Sequence, residues 1–138
     1  MKCIIDTNVL VSASLFPASV PATAFFKAAA MPNSVAVCDH SIDELHQVYS
    51  RKFPNKRQML DSFLTVLYRT AEIIDTPPES EATDDEAAIR DLDDRPILRA
   101  AQKSDAEILI TGDRDFLESG ITNPRIVTSA EFMRIQET

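Results

Sequence analysis

Short apolar runs alternate with longer amphipathic stretches from one end of this chain to the other, and few folds accommodate that alternation. Lys2–Ile5, Ser34–Cys38, Glu72–Asp75, Glu107–Thr111 and Arg125–Val127 are short and rich in β-branched residues, and read as strands. Helical spacing fills the gaps. Asp6-Thr7-Asn8 can cap a helix over Val9–Ser14. A second helix opens at Val20-Pro21, with Ala22, Phe25, Phe26 and Ala29 on one side. Ser41-Ile42-Asp43-Glu44 matches a capping box, so a third helix should start at Ser41, with Ile42, Leu45 and Tyr49 as its stripe. Arg57–Arg69 is strongly amphipathic, with Leu60, Phe63, Leu64 and Leu67 on one face. Pro96–Lys103, a turn or short helix over Asp113–Glu118, and Ala130–Gln136 complete the pattern.

The order is βααβααβ, a polar loop over Glu79–Asp93, then αβαβα. Such alternation gives an α/β fold with a mainly parallel sheet of four to five strands and helices on both faces. The first and fourth strands are the most apolar and should lie at its centre. The 138 residues suit a single domain over 1–138. With only two glycines, Gly112 and Gly120, there is no phosphate-binding glycine loop of the P-loop or dinucleotide type.

No apolar stretch reaches about 18 residues, so no membrane span is expected. MKCIIDTN meets an acid too early for a signal peptide, which makes the cytoplasm the expected location. Cys3 and Cys38 lie in apolar runs and read as buried thiols. The net charge of −8 argues against broad, salt-driven nucleic-acid binding, though not against a nuclease whose metal ions restore attraction for phosphate. Arg51–Lys52, Lys56–Arg57, Arg90, Arg95, Arg99 and Lys103 read as solvated helix surface, and Asp84, Asp85 and Glu86 as solvated loop.

Four acids sit at the ends of these runs: Asp6, Glu44, Asp94 and Asp113. Each has an ordinary explanation as a helix cap, half of a capping box or a turn residue. Their placement says more. In a parallel sheet the strand-to-helix junctions share one edge, where ligands bind. Asp6 and Asp113 follow the two central strands, Glu44 lies beyond the second, and Asp94 opens the helix leading into the fourth. Carboxylates gathered there repel one another unless a cation or protons relieve them. Oxygen ligands of this kind suit Mg²⁺ or Mn²⁺, which bind phosphate oxygens and activate water. Asp91 and Asp93 crowd Asp94, and either could stand in for it. His40 and His46 read as surface or helix-packing residues.

IIDTNVLVSA, SIDELHQVYSRKF, DLDDRPILRAA and ILITGDRDFLE, in that order, resemble the PIN domain, and most closely the small bacterial PIN ribonucleases of the VapC toxin type. The resemblance implies a three-layer, Rossmann-like α/β/α fold. It implies a Mg²⁺- or Mn²⁺-dependent endoribonuclease in which Asp6, Glu44, Asp94 and Asp113 are the catalytic and metal-binding acids. Asn8, Thr111 and Asp115 would support them. It also implies an RNA substrate and a small antitoxin partner; a homodimer is a separate expectation. The sequence departs from the family pattern where Ser104-Asp105 replaces a Gly-Ala turn. Two other classes remain open on the residues alone. A haloacid-dehalogenase-like phosphatase wants an acid where Asn8 stands. A catalytically inactive PIN-like or receiver-like binding module would bind no metal. For self-association, Phe25, Phe26, Phe63 and Leu67 are the apolar candidates, although core packing is their more ordinary use.

Overall fold

A computed structural model of the chain describes residues 1–136; residues 137 and 138 of the expected domain lie outside the described residues. Five strands, β1 (Lys2–Ile5), β2 (Ser34–Cys38), β3 (Ala71–Ile74), β4 (Ile108–Ile110) and β5 (Arg125–Val127), form one sheet in the order β3-β2-β1-β4-β5. All four pairings are parallel. β1 is therefore central, flanked by β2 and β4, as its unbroken apolar run requires.

The strand period of two divides the core. Cys3 and Ile5 of β1, Val35 and Val37 of β2, and Ile108 and Ile110 of β4 point to one face. There they meet α1 (Thr7–Leu15), α2 (Val20–Ala29), α3 (Asp39–Lys52), α4 (Arg57–Thr70) and α7 (Ser129–Arg134), through residues such as Leu10, Phe25, Leu45, Leu67 and Phe132. Ile4, Cys38 and Leu109 point to the other face. They pack on Ile97, Leu98 and Ala101 of α5 (Arg95–Lys103), on Ile89, and on Phe116 of α6 (Arg114–Leu117). Both cysteines are buried, as expected. Among the described residues no single helix is long and apolar enough to cross a membrane.

Three local expectations fail. α3 starts at Asp39, not Ser41, and has no side-chain cap. The reason lies outside the helix: Asp39 Oδ1 accepts a hydrogen bond from the Thr76 backbone N–H at 2.9 Å, which fixes the first turn. Glu44 then sits too deep in the helix for a capping box, which needs it at the third position. Glu86 is buried rather than solvated, and pairs with the equally buried Arg99 of α5, itself expected on the surface. The polar loop expected over Glu79–Asp93 is not irregular throughout but holds two 3₁₀ turns, Glu79–Glu81 and Asp84–Ala88. Where Ser104-Asp105 departs from the family pattern, Asp105 adopts φ 58°, the left-handed region that glycine favours and aspartate tolerates.

Candidate metal centre

The parallel sheet brings the ends of β1, β2 and β4 to one edge, and with them the starts of α1, α3 and α6. Asp6 caps α1: its Oδ1 accepts from Thr7 N–H at 2.7 Å. Asp113 caps α6 by accepting from Asp115 N–H at 2.9 Å. So the cap reading is correct for Asp6, and Asp113, read as a turn residue, caps a helix as well, but capping does not use up either carboxylate. Asp6 Oδ2 accepts from the Thr111 hydroxyl at 2.7 Å, and that hydroxyl in turn accepts from Asp113 N–H at 3.0 Å. Thr111, fully buried, thus joins the acid after β1 to the acid after β4.

For the other two acids the cap reading is wrong. Asp94 makes no side-chain cap bond at the start of α5. Of the three crowded acids, Asp91 and Asp93 are exposed and build the turn, with Asp93 N–H donating to Asp91 Oδ1 at 2.9 Å and Asp94 N–H to Asp91 O at 3.1 Å. Asp94 alone turns inward. Its Oδ2 is buried with no hydrogen-bond partner. Ligand oxygens of Asp94, Asp113 and Asp115 lie within 4.8 Å of one another, a spacing that a single cation can span. Asp115, expected as a supporting group, therefore stands in the tightest cluster. Glu44 Oε1 accepts from the Thr7 hydroxyl at 2.8 Å, which ties α3 to the start of α1.

Among the supporting residues, Asn8 acts on the backbone. Asn8 Oδ1 accepts from Gly112 N–H at 3.3 Å and so steadies the loop between β4 and Asp113. Sequence reasoning missed the contacts of two residues. Thr7 read only as part of a cap, yet it holds Glu44. His40 read as surface or helix packing, yet its Nε2 lies 2.8 Å from the Asp93 carbonyl oxygen and 3.4 Å from Glu44 Oε1. The i,i+4 spacing of His40 and Glu44 could have signalled that contact; nothing local signals the other two.

Electrostatics match the crowding. Burial pushes the Asp6 carboxyl up to about 6, against the pull of its Thr111 and Thr7 hydrogen bonds, with Asp113 and Glu44 adding repulsion. Burial pushes Asp94 up to about 9, and the neighbouring Asp113, Asp6 and Asp91 add to it. A dry, partner-poor carboxyl beside other acids holds a proton until a cation replaces it.

A family model described as the PIN domain matches residues 2–115. No curated protein sequence matches significantly. Among solved structures, a chain in the crystal structure of VapBC2 from Rickettsia felis, bound to a DNA fragment from their promoter, superposes with a TM-score of 0.69 at 21% identity, covering 93% of this chain and 98% of that one. At that identity the likeness speaks for the fold, which is the α/β arrangement described above. The family match takes in β1 to β4 and every acid of the crevice, and on it this chain belongs to the PIN domain family.

Proposed function

We propose that this chain is a divalent-cation-dependent endoribonuclease, acting as the toxin of a toxin–antitoxin pair. The observation that carries the reading is the buried, unpartnered Oδ2 of Asp94 beside Asp113 and Asp115. Leaving a carboxylate oxygen without donor or cation is costly, and a hard cation such as Mg²⁺ or Mn²⁺ fits an all-oxygen set. Asp94 and Asp113 would hold the ion, with Asp6 and Glu44 beside it as the remaining catalytic acids and Asp115 in support. When bound, the ion supplies charge for the phosphate oxygens and lowers the pKa of water. The chain's own groups do the rest. Thr111 keeps one Asp6 oxygen fixed. Asn8 holds the Gly112 backbone that presents Asp113. Glu44, its Oε1 anchored by Thr7, has its second oxygen left to orient the attacking water.

Three finer points rest on the family resemblance: RNA as the substrate, a small antitoxin that covers the crevice, and the cytoplasm as the place of action. For a homodimer, Phe26 is the exposed member of the apolar candidates, since Phe25, Phe63 and Leu67 are buried in the core.

Purified protein with Mn²⁺ or Mg²⁺ is expected to cleave single-stranded RNA, and EDTA to stop it. Asp6→Asn should lower the rate at least about 100-fold while the circular dichroism spectrum stays native. Undiminished cleavage by Asp6→Asn would sink the metal-nuclease reading; hydrolysis of a phosphomonoester in place of RNA would favour the phosphatase class.

A further inference from the structure

We infer that His40 is a positioning residue: its Nε2–H donates to the Asp93 carbonyl while the same nitrogen stands 3.4 Å from the Glu44 carboxylate, and so it sets the spacing between Glu44 and the turn that carries Asp94. The inference rests on the metal-nuclease reading and deepens it.

Glu44 is carried by α3, and Asp94 by the turn that opens α5. The Asp91–Asp94 turn is braced internally by Asp91, which leaves its position relative to α3 to be fixed from outside. Among the described residues, the hydrogen bond from α3 to this turn is the one between His40 and Asp93 O, at 2.8 Å. The same nitrogen is 3.4 Å from Glu44 Oε1. A carbonyl oxygen only accepts, so the nitrogen facing it carries the hydrogen. That nitrogen is therefore a donor, not a general base.

His40 is itself held. Its backbone N–H donates to Thr76 Oγ1 at 3.3 Å, and Thr76 is bonded through both its backbone N–H and its hydroxyl to Asp39. The ring thus projects from a helix start pinned to the segment after β3. Glu44 Oε1 receives two neighbours, the Thr7 hydroxyl and His40, which leaves Oε2 as the atom open to a cation or its water. Partners of this kind, one bond removed from a metal, commonly alter its affinity about tenfold or more.

The test compares His40→Ala with His40→Gln, whose side-chain amide offers an N–H near the position of Nε2. Mn²⁺ binding by calorimetry is the readout, with thermal unfolding as the control. His40→Ala is expected to weaken binding about tenfold with little change in unfolding temperature, and His40→Gln to recover most of the loss. Wild-type affinity in His40→Ala overturns the inference, and so does a His40→Gln protein as weak as His40→Ala. Wild-type protein that takes up no Mn²⁺ would count against the nuclease reading instead. The bridge is then read from the amide resonances of Asp93 and Asp94, which should move in His40→Ala and return in His40→Gln; resonances that stay put in His40→Ala overturn it.

Discussion

Glu86 and Asp94 are buried carboxylates eight residues apart, both ahead of the first residue of α5, and they are treated in opposite ways. Glu86 meets Arg99 in a two-pronged pair, Nη2 to Oε1 at 2.7 Å and Nε to Oε2 at 3.1 Å, and the third arm of the guanidinium reaches Pro77 O at 3.0 Å. Asp94 meets other acids, and its buried Oδ2 has no hydrogen-bond donor. The first carboxylate carries its cation in the sequence. The second is arranged as though its cation comes from solution. A buried acid with an internal partner ties the 79–93 loop to α5; a buried acid without one stores a demand for charge at the sheet edge.

The sharpest break of this comparison is to make the same kind of edit at both places. Removing one partner of a buried pair strands the other, which costs about 3–5 kcal/mol, so Arg99→Met should destabilise by that order. The double variant Glu86→Leu/Arg99→Met should recover most of the loss. Asp94→Asn should do the reverse in EDTA, raising stability at pH 8, because folding there obliges Asp94 to hold a proton that the unfolded chain has released, a cost the amide does not carry. Urea unfolding of the variants decides; an Asp94→Asn protein as damaged as Arg99→Met would mean that Asp94 has a structural partner after all.

Stability against pH is the second test, with a smaller effect. The folded Asp6 and Asp94 have raised values, about 6 and about 9, whereas an unfolded aspartate titrates near 3.9. Between the unfolded and folded values the native chain keeps protons that the unfolded chain has released, so stability falls as pH rises. The contribution is full below about pH 4 and is lost through pH 6 for Asp6 and pH 9 for Asp94. Asp6 alone is worth about 3 kcal/mol across that interval. Unfolding in EDTA should therefore show a decline from pH 5 to 8, and excess Mn²⁺, which binds the deprotonated acids, should offset it. A flat profile in EDTA would break the account of the crevice.

The two regions also differ in how far the sequence discloses them. Ser34–Cys38 and Arg125–Val127 fall where their apolar runs place them, because a buried parallel strand needs little more than such a run between turn residues. The gathering of Asp6 and Asp113 follows from topology, since parallel strands deliver their ends to one edge. What local pattern could not show is pairing across the chain. Glu86 looked like one acid in a charge run, and its partner lies 13 residues on. Ser41-x-x-Glu44 satisfied a local rule, but Thr76, 37 residues from Asp39, set the helix start. Glu44 was thereby freed to bond Thr7, also 37 residues away. Asp94 was distinguished from Asp91 and Asp93 only by which side chain the turn directs inward.

Between an acid with a cation and an acid with nothing stand the two that hold a hydroxyl. Thr111 serves Asp6 at a site with no solvent access, and Thr7 serves Glu44, whose side chain keeps 27% of its exposure. A hydroxyl offsets part of a carboxylate's burial, and water can replace it only where water reaches. Thr111→Val should therefore cost about 2 kcal/mol in EDTA at pH 8, by leaving a dry oxygen without a donor. Thr7→Val should cost about 0.5–1 kcal/mol, since solvent can serve Glu44 in its place. The order, more than either size, carries the argument. Equal losses would mean that burial does not set the worth of these bonds, and the contrast between Glu86 and Asp94 would then need a cause other than the supply of positive charge.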